Sequence, residues 1–523
     1  MIVLEWILAL LLGAVVLAAL ARKIGVPSPA LLALGGVAAA MLKNGPRLSL
    51  DPELALALFV APVLLDAAFD SSLRDLRKYW FPVTCLVVMA VGVTTLAVAF
   101  TARWLVPAMP WAVAIALGAI VAPPDAAAAT AVLKEVELPY RLLVILEGES
   151  LLNDASALLI YRLALAATFA HPTGVVATVS TLIFVLGGSV AMGVLFAIAV
   201  HNVIWRISDV PSSIIVQFVG TFGVWIVADH LNLSGILAIF TFAIVLSRHS
   251  PVRMQAAIRV PSFAVWETVV FLLNALAFVL IGLQIRPILH RLGPAQRPEA
   301  IVFAAAVLAT TIVARIGWVM FYNRALWVIN RILGDRTPTI MKATPLRRGV
   351  VVAWCGMRGI VTLAIALALP DGASAAPAFP YRDLIVLTAF TVVLGTLVIQ
   401  GFTLRPLVLA LGLEDDHAIE EETRIGREEM LRAALNILGQ TDESVTVSIR
   451  REYTELLQRV DGSGGLSVET RRSEMTLRAR AQAASRERLS ELRFTGVIGD
   501  SAYQALQAEL DMMELDAQVR DQW

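Results

Sequence analysis

The stretch EGESLLND, residues 147–154, holds three carboxylates, one hydroxyl and one amide between two apolar runs. At 3.6 residues per turn, an α-helix brings these groups into two neighbouring stripes. One stripe carries Glu147, Ser150 and Asp154, and the adjacent stripe carries Glu149 and Asn153. Hard oxygen atoms of this kind suit Na⁺, Li⁺ or K⁺, and a carboxylate can hold either a cation or a proton. The pattern therefore predicts a site for a monovalent cation and a proton.

Two further carboxylates, Asp125 and Asp66, are candidates for the same site. Asp125 follows a double proline, and no cation lies in its own segment. Asp66 ends the stretch APVLLD and is predicted either to be a further oxygen ligand or to meet water near a helix end. Glu147 has a similar alternative, because it lies closest to the cytoplasmic end of its helix. An ionisable group in an apolar membrane span costs roughly 2.5–3.5 kcal/mol, so each of them requires a function or a partner.

Arg358 is the cation that the sequence embeds most deeply in apolar surroundings, and a buried guanidinium must be paired to be tolerated. Glu149 and Glu267 are its candidate partners. Glu267 begins a predicted span, so it also has a plain interpretation as an interfacial residue. Arg162 and Arg315 are predicted to extend towards water or to bind helix ends.

Other kinds of chemistry have no support in the sequence. The two cysteines, Cys85 and Cys355, are isolated in apolar stretches, and the six histidines form no metal-binding spacing. A P-loop and a GxSxG nucleophile motif are both missing from the sequence. We therefore expect neither an enzyme nor a resident cofactor, and we expect no nucleic-acid partner.

The elements that position these residues are membrane helices, as the composition shows. Of the 523 residues, 58% are hydrophobic and 16% are charged, whereas soluble chains have about 45–50% apolar and about 25% charged residues. The whole chain has 42 acidic and 42 basic residues. Residues 412–523 hold 23 acidic and 14 basic residues, so the other 411 residues hold 19 acidic and 28 basic residues and carry a net charge of +9. The sequence predicts a transmembrane domain over residues 1–411 and a mostly helical cytoplasmic tail over residues 412–523. Helices are predicted in the tail at Ile419–Leu438, Val445–Val460 and Ser467–Arg493.

Thirteen apolar stretches approach the length of about 20 residues that a membrane-spanning helix needs. They are Ile2–Ala21, Val26–Leu42, Leu54–Phe69, Trp80–Trp104, Trp111–Leu133, Leu142–Ala170, Val176–Trp205, Ile214–Asp229, Ser234–Ser247, Trp266–Ile285, Ile301–Ile332, Arg348–Leu369 and Leu384–Leu411. Loops after odd-numbered spans hold 18 lysines and arginines, and loops after even-numbered spans hold 7. The positive-inside rule then predicts an external N-terminus and a cytoplasmic C-terminus.

Thirteen spans divide into two six-helix repeats and a linker helix, and the two repeats then have inverted orientations. This is the plan of many secondary transporters, which have interrupted helices at matching positions of the two halves. The fifth span is interrupted at residues 122–125 by two prolines, and its counterpart, the twelfth, at residues 355–359 by two glycines. We therefore predict an all-α polytopic membrane protein in which the discontinuous fifth and twelfth helices cross near mid-membrane.

Four stretches of the sequence resemble the monovalent cation:proton antiporter-1 family of sodium/proton exchangers, in its bacterial form. They are VAPPDA at residues 121–126, ILEGESLLNDA at 145–155, FVLIGL at 278–283 and WCGMRG at 354–359. The resemblance covers roughly residues 1–411, and its ESLLND element is highly specific. It implies a homodimer in the inner cell membrane with a role in pH homeostasis.

The resemblance also implies roles for individual residues. Asp154 matches the carboxylate that carries the proton or the cation, with Ser150 and Asn153 beside it, and Asp125 matches the aspartate of the unwound fifth helix. Glu149 and Arg358 match the buried structural ion pair of the family, and Asp66 stands where many members have glutamate. Pro124 is a departure, because many relatives have threonine or serine before the fifth-helix aspartate. A hydroxyl ligand is thereby lost, and backbone carbonyls or water would have to replace it.

The sequence thus predicts an Na⁺/H⁺ (or Li⁺/H⁺) antiporter that works by alternating access, with electroneutral exchange. Potassium/proton exchange keeps the same mechanism and is the nearest alternative. Two alternatives belong to other classes of protein. One is an ion channel, which would need an open path through the membrane, and the other is a membrane sensor, which would send its output through the tail.

Overall fold

The computed structural model describes residues 2–42, 52–70, 77–125, 139–169, 175–204, 206–207, 209–253, 256–333, 346–371 and 377–413, with isolated tail positions from 423 to 512. All regular secondary structure in these ranges is helical. The chain forms two compact units, Met1–Asp416 and His417–Trp523. The predicted helices of the tail lie almost wholly outside the described residues.

The first unit contains seventeen α-helices among its described residues. In chain order they are α1 (Ile2–Ile24), α2 (Ser28–Met41), α3 (Pro52–Ala55), α4 (Ala61–Asp70), α5 (Trp80–Thr84), α6 (Val91–Leu105), α7 (Trp111–Val121), α8 (Tyr140–Phe169), α9 (Val175–Ile204), α10 (Val210–His230), α11 (Gly235–Arg253), α12 (Ala256–Leu283), α13 (Ile285–Arg291), α14 (Arg297–Leu333), α15 (Leu346–Trp354), α16 (Ile360–Leu367) and α17 (Arg382–Leu411).

The membrane character predicted from composition is confirmed. Within the described residues, seven helices are long and apolar enough to cross a bilayer, and four shorter apolar helices accompany them. Each lies within or overlaps a stretch predicted to span the membrane. The far half of the predicted fifth span, residues 126–133, lies outside the described residues, so the total of thirteen stays a prediction.

Two predicted spans differ from the helices observed. The tenth was predicted to begin at Trp266, but α12 begins ten residues earlier and contains Pro261. A proline lacks a backbone donor and its ring clashes with the carbonyl four residues earlier, but at position 261 this affects only the first turns of α12. Buried Ile258 anchors this first part of α12, and the Ser262 hydroxyl donates to the Ile258 carbonyl at 2.8 Å. The ninth was predicted to end at Ser247, but α11 continues to Arg253.

Short π-helical segments interrupt two of the spans near the centre of the bundle. Leu56–Val60 joins α3 to α4, and Cys85–Ala90 joins α5 to α6. A π-helical turn shifts the backbone hydrogen bonds and can leave a carbonyl available to another donor. The Val87 carbonyl accepts a hydrogen bond of 2.7 Å from the Ser156 hydroxyl of α8. This bond ties the helix that carries the polar stretch to the span that begins with α5.

Helices α2 and α12 cross with their backbones in contact, and each has a glycine at the crossing. A Cβ atom on Gly282 would lie 2.1 Å from the Ala33 carbonyl oxygen, and one on Gly36 would lie 2.1 Å from the Val279 carbonyl oxygen. Both atoms belong to the opposing backbone and cannot rotate away. The crossing therefore requires glycine on both helices.

We expect Gly282→Ala to lower the melting temperature of the purified protein, because the added methyl group forces α2 and α12 apart. Overpacking of this kind typically costs about 1–3 kcal/mol. Gly187→Ala in α9 is a matched control, since a Cβ atom there would meet nothing within 4 Å. Fluorescence-monitored melts in detergent measure both variants, and equal melting temperatures for Gly282→Ala and the wild type would contradict the backbone contact.

Candidate cation and proton site

The two helix interruptions predicted from proline and glycine are present, and they touch each other. α7 ends at Val121, and residues 122–125 continue without helical structure. α15 ends at Trp354 and α16 begins at Ile360, so that residues 355–359 are not helical. The Asp125 amide donates to the Met357 carbonyl across the two interruptions, with an N···O distance of 2.6 Å. Unwound backbone in an apolar bundle needs such partners, because no lipid atom can supply them.

The carboxylate of Asp125 lies directly against Gly359. A Cβ atom on Gly359 would stand 1.5 Å from Asp125 Oδ2, so only glycine leaves space for this carboxylate. Asp125 is half-buried at this point. The contact explains why the second glycine of the GMRG element is needed, and it holds the aspartate where the two interrupted helices meet.

Arg358 stabilises the end of α7. Its side chain is fully buried. Nε donates to the Val121 carbonyl at 3.0 Å, Nη2 donates to the Ala122 carbonyl at 3.2 Å, and Nη1 donates to the Gly356 carbonyl. The C-terminal end of a helix carries partial negative charge on such carbonyls, and a cation there is favourable. Arg358 thus neutralises the interrupted end of α7.

The predicted ion pair between Glu149 and Arg358 is wrong, because the partner of Glu149 is Arg315. The Arg315 guanidinium donates from Nη1 to Oε1 at 2.5 Å and from Nη2 to Oε2 at 2.9 Å. Both side chains are about 2% exposed. Nη2 also donates to the Val352 carbonyl of α15 at 3.1 Å. A two-point geometry matches the planar guanidinium to the carboxylate, and the pair joins α8, α14 and α15.

The prediction that Arg315 binds a helix end is confirmed, since the Val352 carbonyl lies in the last turn of α15, but its ion pair with Glu149 was not predicted. The signal that identifies it was present in the sequence, since Arg315 lies near the middle of the longest apolar helix and has no acidic residue within reach on α14. Arg162 also binds near a helix end, as predicted. Its Nη2 donates to the Leu233 carbonyl, 3.4 Å away, just before α11 begins.

Asn153 connects α8 to the interrupted end of α7. Its side chain is fully buried, and Nδ2 donates to the Pro124 carbonyl at 2.7 Å. This bond fixes the orientation of the amide. The amide oxygen, Oδ1, is also buried and has no hydrogen-bond partner among the described residues. An oxygen of this kind is a free ligand next to Asp125.

Asp154 follows Asn153 on α8 and is half-buried. The hydrogen bond from Asn153 to the Pro124 carbonyl places this part of α8 beside the interruption that ends with Asp125. The structure therefore brings together three of the predicted site residues, namely Asp154 and Asn153 of α8 and Asp125 of the interruption after α7.

The other predicted residues have different surroundings. Ser150 and Glu147 are half-buried on α8, and Asp66 is half-buried on α4, which packs against α8. Glu267 is exposed on α12 and is not the partner of Arg358, whose nitrogens donate to backbone carbonyls. Thr396 of α17 was not predicted, yet its hydroxyl accepts from the Arg358 amide at 3.0 Å. A threonine in an apolar helix gives no signal of this role.

Two interrupted helices that meet inside an apolar bundle, with carboxylates at the meeting point, define a class of protein. This is the arrangement of secondary ion transporters. The chain matches the sodium/hydrogen exchanger transmembrane family over residues 7–410 and belongs to that family. It is accordingly a multi-pass membrane antiporter of sodium and protons, and the resemblance seen in the sequence is confirmed.

Individual relatives agree with the family. An uncharacterized Na⁺/H⁺ exchanger of Mycobacterium tuberculosis is 30% identical over 97% of this chain and 95% of its own length. The sodium, potassium, lithium and rubidium/H⁺ antiporter of Bacillus pumilus is 27% identical over 89% of this chain and 71% of its own length. The sodium proton antiporter MjNhaP1 of Methanocaldococcus jannaschii has a similar structure, with a TM-score of 0.60 over 79% of this chain and 99% of that chain. At 18% identity, this last likeness concerns the fold alone.

Proposed function

We propose that the protein exchanges Na⁺ for H⁺ at Asp154 by alternating access, with one proton for each cation. It works as a homodimer in the inner cell membrane, with its N-terminus outside and its tail in the cytoplasm, and it contributes to pH homeostasis. The observation that carries this proposal is the hydrogen bond from Asn153 to the Pro124 carbonyl, which brings the next residues, Asp154 and Asp125, to the same place beside an Asn153 oxygen that has no hydrogen-bond partner among the described residues. The charge bias of the predicted loops supports the orientation.

The oxygen atoms at the meeting point suit a small monovalent cation. Asp154 and Asp125 supply carboxylates, and the orientation of Asn153 leaves its Oδ1 available as a third ligand. This amide oxygen takes the place of the hydroxyl that is lost at Pro124. Ser150 and Asp66 are further ligands within the same group of helices. Na⁺, Li⁺ and H⁺ are the transported substrates in this proposal, and the site needs no resident cofactor.

Exchange follows from competition for one carboxylate. Asp154 binds either a proton or a cation, because each neutralises the same charge. The bundle moves the site across the membrane only when that charge is neutralised, so each cation in one direction is matched by a proton in the other. Glu149 takes no part in the cycle, because Arg315 holds it in a two-point ion pair.

Sodium is the ion that the comparisons favour. It is named for the family and for each of the three relatives described above, whereas potassium is named for one of them. Vesicles containing the purified protein and a pH-sensitive dye, pulsed in turn with Na⁺, Li⁺ and K⁺, test this choice. We expect the largest proton flux with Na⁺. A flux with K⁺ alone would overturn the sodium assignment, and a tail-deleted protein that still exchanges ions would dismiss the membrane sensor.

We expect exchange to be electroneutral, because in this proposal Asp154 changes its charge during the cycle while Asp125 keeps a single protonation state. The measurement is Na⁺-dependent proton flux in vesicles whose membrane potential is set by a K⁺ gradient and valinomycin, once K⁺ is known not to be a substrate. The flux should not respond to the sign of the potential. A flux that follows the voltage would mean that a second carboxylate titrates with Asp154 and would identify Asp125 as that carrier.

A further inference from the structure

One end of the first unit carries a dense group of basic side chains beside exposed aromatic rings. We call it the basic rim, and it comprises Arg77, Lys78, Arg324, Arg331, Arg347 and Arg348. All six are exposed or half-exposed. They come from three places in the chain, namely the start of the span that contains α5, the end of α14 and the start of α15. The transport site uses none of them.

Contacts between the helices show that these three places are neighbours. The ring of Phe81 in α5 lies 6.4 Å from the ring of Tyr322 in α14. A Cβ atom on Gly349 in α15 would lie 3.1 Å from Nδ2 of Asn323 in α14. The first turns of α5 and α15 therefore both flank the same turn of α14, and their basic residues lie around it.

The end of α14 extends beyond the hydrocarbon layer. At 1.5 Å per residue its 37 residues are about 55 Å long, whereas the apolar core of a bilayer is about 30 Å thick. The other end of α14, at Arg297, follows the loop after the tenth predicted span, and loops after even-numbered spans are predicted to lie outside. Residues from 321 onward therefore lie at the level of the lipid head groups, on the side that the loop charges predict to be cytoplasmic.

The centre of the basic rim is Trp327. The guanidinium carbon of Arg324 lies 4.5 Å from the centre of its ring, and that of Arg331 lies 5.4 Å from it. A cation within about 6 Å of an indole face is attracted to it. Among the described residues, no carboxylate pairs with either guanidinium. The indole thus contacts two positive charges, neither of which is paired with a carboxylate in the part of the chain that the structure describes.

Apolar side chains border these charges on the same exposed face of α14. Phe321 is 65% exposed and Ile332 is 78% exposed. At 3.6 residues per turn, both lie within about one third of a turn of Arg324 and Arg331 on the helix surface. The face therefore has a cationic part at the level of the head groups and an apolar part beside it.

We propose that the basic rim at Arg324, Trp327 and Arg331 is a binding site for the phosphate head group of an anionic phospholipid. The two guanidinium groups bind the phosphate, and Phe321, which precedes both arginines on the membrane side, contacts the upper part of an acyl chain. This apolar contact favours a lipid over a free phosphate ion, which would gain nothing from Phe321. The site is independent of the proposed ion exchange.

The test is a titration of the detergent-solubilised full-length protein with phosphatidylglycerol and, separately, with phosphatidylcholine, in which bound lipid is counted by native mass spectrometry. We expect phosphatidylglycerol to bind more tightly. Each basic residue near an anionic lipid contributes roughly fivefold in affinity, so Arg324→Gln with Arg331→Gln should weaken phosphatidylglycerol binding about 25-fold. Replacing both residues by lysine should preserve most of the binding, which separates the loss of charge from a loss of folding.

Arg103→Gln is the matched control, because the Arg103 guanidinium lies 4.7 Å from the ring of Trp111 in a similar cation–π contact outside the basic rim. It should leave phosphatidylglycerol binding unchanged. Equal affinity of the wild-type protein for the two lipids would overturn the proposal. So would wild-type affinity in the double glutamine variant, or complete displacement of the lipid by soluble glycerol phosphate.

Discussion

Asp154→Asn is expected to abolish cation-driven proton exchange while the protein still folds and inserts. Asparagine keeps the shape of the side chain and a similar hydrogen-bonding capacity, but it removes the charge for which proton and cation compete. The half-buried position of Asp154 on α8 makes a gross packing defect an implausible cause of the loss. Proton flux in vesicles, after a pulse of Na⁺, should fall to the level of vesicles without protein.

Glu5→Gln is the control for this experiment. It makes the same kind of change, from a carboxylate to an amide, at an exposed position of α1 that has no part in the site. Its flux should equal that of the wild type. Undiminished flux in Asp154→Asn, with the correct amount of protein in the vesicles, would remove Asp154 from the centre of the mechanism.

Glu149→Ala and Arg315→Ala are each expected to destabilise the protein strongly. Removing one partner of a buried ion pair leaves the other charge uncompensated, which typically costs about 3–5 kcal/mol. The double change to methionine should cost less than the sum of the two single losses, because it removes both buried charges at once. Thermal melts in detergent and the yield of folded protein measure these effects.

The same experiment distinguishes the two arginines near Glu149. The coupling energy between Glu149 and Arg315 should exceed that between Glu149 and Arg358, because the Arg358 guanidinium donates to the carbonyls of Val121 and Ala122. A larger coupling with Arg358 would restore the pairing that the sequence suggested. Additive losses for Glu149 and Arg315 would mean that their ion pair contributes nothing to stability.

Arg315 and Arg358 each stabilise a different part of the interrupted helices. Arg315 binds Glu149 of α8 and a carbonyl of α15, and Arg358 binds the carbonyls at the end of α7. All of these contacts are made with Glu149 and with backbone carbonyls. The proposed exchange at Asp154 requires a carboxylate that no guanidinium binds permanently, so in this proposal different residues carry the structural and the transported charges.

The local features of this protein could be predicted from the sequence by itself. The membrane helices follow from the length of apolar stretches, and the interruptions at residues 122–125 and 355–359 follow from what proline and glycine do to a helix. The polar stripes at residues 147–154 follow from helical periodicity, because the neighbours on a helix face are close in sequence. These properties depend on residues within a few turns of one another.

The tertiary structure decided which distant groups meet. Glu149 and Arg315 are 166 residues apart, and the choice between Arg315 and Arg358 depends on how α8, α14 and α15 pack. The same holds for the Asn153 amide, whose oxygen is left available only because its nitrogen reaches the Pro124 carbonyl. A helical pattern states which face of a helix is polar, but the direction in which that face points is set by backbone packing across the bundle. Arg358 was correctly expected to need compensation, and carbonyls at the end of another helix supply it in place of a carboxylate.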